Sequence, residues 1–326
     1  MSKNVFYLFG LVAIASLFSC QSSQRREGTP LIGFVEAFED ATIAQARQGF
    51  EDALRDSGYS EQQGTVTFIH RNAQGDAATL NQIISYFNSQ QVDIMGTSTT
   101  LATMAAIQRS KAIPVFMTVT AMPEILGLTD AEGNPPANLF GTGEDLNYID
   151  TSFTIITEIV HPKNGKLTVG MIYNQSEPQS VDAHERIANL AKKLGVRLVA
   201  LPLNSSAEAQ LVVRSLLTND IDAFFANPDN TVFAAFETIL KNCNDKGIPV
   251  FTSEAGLVVR GAVAAFGADI YQWGYQSGAQ AATYLRNQST DGLQVNMVTV
   301  RKRVYNPGMA EKFGLTFPDT FDAVTD

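Results

Sequence analysis

Two stretches of this chain follow one pattern, and that repetition constrains the fold more than any other feature. Val169-Gly-Met-Ile-Tyr173 is an apolar run that ends in the polar loop Asn174-Gln-Ser176-Glu177 and opens a helix near Pro178. About 140 residues earlier, Leu31-Ile-Gly-Phe-Val35 ends in Glu36-Ala-Phe38-Glu39-Asp40 and again leads into a helical pattern. A strand that is apolar on both faces must be covered on both, which calls for a parallel sheet flanked by helices. Two such openings predict two similar α/β lobes, with a binding site between the two polar loops. At 326 residues the chain is long for one domain, and two are expected.

Taken in order, the pattern supports this reading. Strands are predicted over 30–35, 66–71, 92–95, 113–118 and 139–142, with helices over 41–57, 77–89 and 101–110 between them. Asp76 is placed to cap the second helix. The alternation then restarts, with helices over 150–160, 181–194, 207–217 and 232–243 and strands over 167–173, 196–201, 221–226 and 249–252. A strand over 261–266, a helix over 271–285 and an extended stretch over 298–304 close the chain. Such alternation means βαβ units, hence two doubly wound, Rossmann-like parallel sheets. Hydrophobic residues make up 45% and charged residues 17%, enough for a sizeable core. The formal net charge of −10 argues against a nucleic-acid groove, so no nucleic-acid partner is expected.

The N-terminus carries an export pattern. Lys3 is the one charge before an apolar run from Val5 to Leu17, and Leu17-Phe18-Ser19-Cys20 resembles a bacterial lipobox. The run is too short for a confident membrane span and fits a signal peptide over 1–19. Cleavage before Cys20 and lipidation of that residue would leave an exported protein held on a bacterial membrane by its acyl chains. Residues 20–29 read as a polar tether. The other reading is an ordinary secretory signal in which Cys20 is incidental. Cys243, in a helical segment, reads as a small buried residue, and two cysteines allow no cysteine metal site.

In open α/β sheets, ligands bind beyond the carboxyl ends of the strands. In the first half those loops carry Phe38, Glu39, the hydroxyl run Thr97-Ser98-Thr99-Thr100, and Thr120. In the second half they carry Tyr173, Asn174, Ser176, Asp229, Asn230 and Glu254. Helix N-termini there offer unpaired N–H groups and the positive end of a dipole, suited to a carboxylate or phosphate. Each residue also has an ordinary role open to it, as a helix cap or, for Phe38, as core. No catalytic constellation is visible. His70, His161 and His184 match no metal spacing, and no nucleophile elbow, Walker loop or dinucleotide fingerprint follows a strand. Neither a metal nor a cofactor is expected, and binding rather than catalysis is the expected activity.

The phrases Arg71-Asn-Ala-Gln-Gly-Asp76, Gly170-Met-Ile-Tyr-Asn174, Pro228-Asp-Asn-Thr231 and the paired Ile113-Pro-Val-Phe116 and Ile248-Pro-Val-Phe251 resemble the ABC-transporter substrate-binding lipoproteins of the TrpX/TyrX type. The likeness runs through nearly all of the chain, to Asn306, Gly314-Leu315 and Pro318. It implies a type I periplasmic-binding fold, two lobes joined by three crossings and closing by hinge bending. The crossings are expected near 141–145, 253–257 and 293–299. That places 30–142 with 256–292 in the N-terminal lobe and 143–255 with 293–326 in the C-terminal lobe. Three loops differ from the branch that binds aromatic amino acids, at Asp40-Ala41, Thr120-Ala121-Met122-Pro123 and Ser253-Glu254, so a re-lined pocket is expected.

The expectation is a monomeric solute receptor that passes a small polar ligand, an amino acid or related zwitterion, to an ABC permease with its ATPase. Thr99, Thr100 and Ser176 would take a carboxylate. Asp229 and Glu254 would take an amine or hydroxyls, with Phe38 and Tyr173 against an apolar part. A ligand sensor feeding a signalling partner would have a similar sequence, and an enzyme on this fold is the third alternative.

Overall fold

The computed structural model describes residues 28–324. The leader, Cys20 and most of the tether lie outside the described residues. Strands β1 (Leu31–Glu36), β2 (Thr67–Asn72), β3 (Ile94–Ser98), β4 (Val115–Thr118) and β5 (Leu139–Gly143) are joined by β11 (Val295–Met297) from near the chain's end. They form a six-stranded sheet in the order β11-β5-β4-β3-β1-β2, with every pairing parallel. Strands β3, β4 and β5 are buried along their whole length, so their side chains need cover on both faces. Helices α1 (Ala44–Asp56), α2 (Ala77–Ser89), α3 (Thr100–Arg109) and α10 (Ile270–Asn287) belong to this lobe. The buried face of α1 is Ala46, Gly49, Phe50, Ala53 and Leu54, the three-and-four spacing of an amphipathic helix.

The second sheet contains β6 (Thr168–Tyr173), β7 (Arg197–Pro202), β8 (Ala223–Ala226), β9 (Val250–Thr252), β10 (Ala264–Ala268), β12 (Arg301–Tyr305) and β13 (Asp322–Ala323). Its order is β13-β12-β10-β9-β8-β6-β7, parallel except where β12 runs against β10. Helices α4 (Tyr148–Ile159), α5 (Pro178–Lys193), α6 (Ala209–Leu216), α7 (Asn230–Ala234), α8 (Phe236–Asp245), α9 (Ala255–Val259) and α11 (Pro307–Phe313) complete this lobe. Strand order reverses between β1 and β3 in one sheet and between β6 and β8 in the other, which puts the expected loops on facing edges.

Sheet membership corrects the expected lobe boundaries. The chain crosses at 144–147, again at Asp269, and a third time at 298–300. Residues 256–268 therefore belong to the second lobe, because β10 pairs with β9 and β12. Residues 293–297 belong to the first, because β11 pairs with β5. Each lobe uses its fifth strand, β5 or β10, as the exit towards the other. The strand expected over 261–266 therefore lies in the second lobe and not in the first, where the crossings implied by the resemblance put it; alternation orders elements without saying which sheet a strand joins. The extended stretch expected over 298–304 covers the third crossing and most of β12, β11 lies just before it in the other sheet, and the helix over 232–243 is broken at Ala235 into α7 and α8. Asp76 does cap α2, accepting the Thr79 N–H at 2.6 Å, and Cys243 is fully buried, which pushes its thiol up to about 12.

Helices α1 and α10 approach closely enough that glycine is required at the contact. A Cβ on Gly274 would stand 1.8 Å from the Ala46 carbonyl oxygen, and one on Gly49 would stand 2.0 Å from the Tyr271 carbonyl oxygen. Alanine is favoured over glycine inside a helix by about 1 kcal/mol. Gly274→Ala should nevertheless destabilise the protein by about 2 kcal/mol through overpacking against backbone. Chemical denaturation checks this, and an unchanged or raised midpoint would mean that α1 can shift to make room.

Candidate ligand-binding site

Where the chain crosses between lobes, three side chains fix the floor of a cleft. The indole N–H of Trp273, at the start of α10, donates to the Thr142 carbonyl at 2.6 Å. Glu144, in the first crossing, is buried and accepts both 2.7 Å contacts of Arg301 Nη2 from β12. Burial holds the Glu144 carboxyl above its ordinary range, and Arg301 opposes that shift. Tyr148, in the first turn of α4, donates its hydroxyl to Glu254 Oε1 at 2.8 Å.

Above this floor lies a cavity with about 450 Å³ of atom-free space, part of it continuous with solvent. The first lobe contributes Ile43, Thr100, Val119, Thr120 and Ala121, and the second contributes Gln179, Pro228, Asp229, Asn230, Phe233 and Glu254. Glu144, Leu146, Tyr148 and Trp273 line the hinge side. Most of this surface is apolar, and its polar groups stand at two poles.

At the first-lobe pole, the hydroxyls of Thr100 and Thr120 meet at 3.0 Å, beside the N-terminus of α3. The backbone that presents them is strained. Thr99 has φ +82° and Val119 has φ +49°, a region that β-branched residues seldom adopt. Thr99 is held there by its N–H to the Thr118 carbonyl at 3.1 Å and by the Thr103 N–H on its own carbonyl. Strain of this kind, worth about 1–3 kcal/mol per residue, concentrates at ligand clamps.

At the second-lobe pole, Glu254 Oε2 is buried without a partner, and so is Gln179 Oε1. Burial pushes Glu254 up to about 8 from 4.5, despite the Tyr148 hydroxyl, with the Glu144 charge adding to the rise. No Lys, Arg or His lines the cavity, so nothing in the lining neutralises Glu254. The neighbouring Asp229 and Glu177 are internally committed. Asp229 caps α7 through the Val232 N–H and accepts from the Asn174 N–H and the Ser180 hydroxyl. Burial first, and the Glu177 charge second, push it up to about 7. Glu177 accepts from Asn174, Gln179, Asn230 and Thr231 and ties the β6–α5 turn to the start of α7.

The whole of residues 32–325 matches the family model described as ABC transporter substrate binding protein. A tyrosine-binding protein of Clostridioides difficile is 30% identical over 275 residues, 84% of this chain and 78% of that one. The chain belongs to the family of ABC transporter substrate-binding proteins. Two solved structures at lower identity agree with its fold. A conserved domain protein from Vibrio cholerae is 27% identical with a TM-score of 0.82, covering 90% of this chain and 99% of that one. An ABC domain from Streptococcus pneumoniae in complex with L-Trp is 22% identical with a TM-score of 0.80, covering 90% and 97%. The two sheets of this substrate-binding protein are thus those of the periplasmic-binding-protein-like neighbours.

Among the expected site residues of this substrate-binding protein, Thr100, Thr120, Asp229, Asn230 and Glu254 line the cavity together. Ser176 stands at an outer chamber between α2, α3 and the β6–α5 loop, which Thr100 and Gln179 also line. The other expected residues stand apart from the cavity lining. Phe38 is buried in the first lobe's core, and Glu39 lies at a side notch. Ser98 and Thr99 are buried with unpartnered hydroxyls just behind Thr100. Tyr173 stacks on His184 with ring centres 4.0 Å apart. Asn174 spends its side chain on Glu177, Thr231 and the Ser176 N–H. Sequence reasoning missed Tyr148, Gln179, Glu144 and Trp273. The chain has a single Trp, in the first turn of the helix that follows the strand leaving the second lobe, and that placement was the available signal. Among the described residues no group of three or more His, Cys, Asp or Glu could hold a metal ion.

The raised Glu254 value has a sign that can be tested. The unfolded chain loses this proton near 4.5 and the folded chain near 8. Between these values the folded state holds a proton that the unfolded state has lost, so stability declines as pH rises through the window. Glu254→Gln keeps an acceptor for Tyr148 and cannot ionise. The ligand-free variant should gain on the parent by on the order of 3 kcal/mol between about pH 4.5 and pH 7. Parallel denaturation curves at the two pH values check this, and a constant gap would mean that Glu254 is solvated or paired.

Proposed function

We propose that this substrate-binding protein is an exported, lipid-anchored receptor that captures an amino acid with a bulky apolar or aromatic side chain and delivers it to the permease of an ABC importer. The observation that carries the reading is the cavity's polarity. Paired hydroxyls at a helix N-terminus occupy one pole, a buried carboxylate with one unpartnered oxygen and an unpartnered amide oxygen occupy the other, and apolar walls lie between. A zwitterion answers both poles at once. Its carboxylate would sit at Thr100, Thr120 and the start of α3, where dipole and hydroxyls favour negative charge. Its ammonium would sit between Glu254 and Gln179 and supply the positive charge that the lining lacks. Its side chain would lie among Ile43, Val119, Leu146, Phe233 and Trp273.

The tyrosine-binding name of the Clostridioides difficile relative and the L-Trp held by the Streptococcus pneumoniae structure support an aromatic amino acid. The lipobox-like Leu17-Phe18-Ser19-Cys20 supports the anchor. Cys20→Ala should then shift the protein from the membrane fraction to the soluble exported fraction. Retention on the membrane would remove Cys20 as the attachment point.

Calorimetry with L-tyrosine and L-tryptophan tests the ligand. Binding should be lost with tyramine, which lacks the carboxylate, and with N-acetyl-L-tyrosine, which lacks the ammonium. Thr100→Val, close to isosteric, should weaken binding about tenfold or more, the effect of removing one hydrogen bond to a charged group. Equal binding of tyramine or of N-acetyl-L-tyrosine would overturn the assignment of the corresponding pole.

A further inference from the structure

Outside the cavity, the lobes meet at a contact that no part of the binding reading uses. Asp40, between β1 and α1 of the first lobe, is buried. Its Oδ1 accepts the N–H groups of Thr42 and Ile43 at 2.9 and 3.0 Å, while its Oδ2 accepts from Arg260 Nη1 at 2.5 Å. Arg260 ends α9 of the second lobe, 220 residues away in sequence, and also reaches the Thr42 hydroxyl at 3.2 Å. One turn earlier on α9, Gly256 lies against Thr42 so closely that a Cβ there would stand 2.1 Å from Thr42 Cγ2. Charge and shape thus meet at one place, and glycine is what lets α9 approach.

We propose that this contact between α9 and the start of α1 is the closure latch of the receptor, and that Asp40, Gly256 and Arg260 set ligand affinity from outside the cavity. Four observations support it. The lobes are covalently joined only at 144–147, Asp269 and 298–300, so rotation about those crossings parts α9 from α1. The contact can be broken without orphaning a charge. On opening, Arg260 keeps Glu237 at 2.6 Å and the Phe236 ring at 5.1 Å, and Asp40 keeps its two backbone donors. The latch is also mechanically joined to the cavity. Ile43, whose N–H Asp40 holds, lines the cavity, and Phe233 lines both the cavity and the notch beside Arg260. Finally, α9 is five residues long and carries Glu254 at its N-cap and Arg260 at its C-cap, so cavity and latch are opposite ends of one short rigid element.

The consequence is a population effect. A ligand that needs the closed arrangement binds with an apparent affinity scaled by the closed fraction. Loosening the latch therefore weakens binding although no ligand contact is touched. The inference rests on the cleft-binding reading, so its test includes a readout that needs no ligand. Hydrogen–deuterium exchange of the full chain follows residues 99–104 and 175–180, which line one chamber at the mouth from opposite lobes. Asp40→Asn keeps the backbone cap and loses the charge. Gly256→Ala keeps the helix and loses the close approach. Glu237→Gln removes only the charged partner that Arg260 has within its own lobe.

The first two variants should raise exchange in both mouth segments with β3 and β8 unchanged, and Glu237→Gln should leave the mouth unchanged. With L-tyrosine as probe, the first two should weaken binding about tenfold, through a faster off-rate. Unchanged mouth exchange in both variants overturns the latch. So does raised exchange that spreads into β3 and β8, because that reports local unfolding. If exchange shifts as expected while L-tyrosine fails to bind the parent protein, the latch stands and the ligand assignment falls.

Discussion

A strand covered on both faces can carry no uncompensated charge along its length, so polarity is expelled to its ends. Strands β3, β4, β5 and β8 are buried throughout, and the hydroxyls, amides and carboxylates of their neighbourhood collect just past their carboxyl termini. In a single parallel sheet this yields one polar edge. Here two sheets are joined by three short crossings, and the two edges face each other. Cavity, hinge and interlobe contact all follow from that arrangement, because the same short segments that end the strands also join the lobes.

The electrostatics of the cleft are uneven in a way that points to its occupant. Glu144 is answered by Arg301 within the hinge, and the Asp229–Glu177 pair is answered by backbone and amide donors in the second lobe. Glu254 receives the Tyr148 and Ser253 hydroxyls on one oxygen and nothing positive. A buried carboxylate in that situation keeps its proton instead of its charge, as its rise to about 8 indicates. The ligand ammonium proposed above would reverse the balance by supplying the missing cation. On the proposed reading the site destabilises the protein when empty and is satisfied when filled, the usual relation between a binding group and the stability of its scaffold.

Much of this was legible in the sequence. Alternating apolar runs and helical patterns gave two parallel α/β lobes, Asp76 declared itself as a cap, and the loops after the strands held Thr100, Thr120 and Glu254. What the sequence withheld has physical reasons. Strand β10 reads Ala-Ala-Phe-Gly-Ala, too small and too even to announce which sheet it would join, and its misplacement shifted a crossing by more than ten residues. Helix α9 is five residues long, below the window in which periodicity can speak. Glu144 lies in a crossing and Tyr148 and Trp273 in the first turns of the helices that follow crossings, where side chains are placed by contacts between lobes and not by local pattern. Phe38 and Tyr173 had the right chemistry at the right strand ends, but the first turned into the core and the second onto His184.

The strain at Thr99 and Val119 joins these themes. A glycine at either position would adopt its positive φ without cost. The chain instead keeps two β-branched residues at consecutive strand ends, Thr99 after β3 and Val119 after β4. Each forces the next residue into place, and those next residues are Thr100 and Thr120, whose hydroxyls meet at 3.0 Å. Glycine would leave the turns free to move and the hydroxyl pair unfixed. A stiff residue held in a poor conformation by the Thr99 N–H to Thr118 carbonyl bond gives one geometry, which is what a site must offer if it is to hold a small polar group before the lobes close.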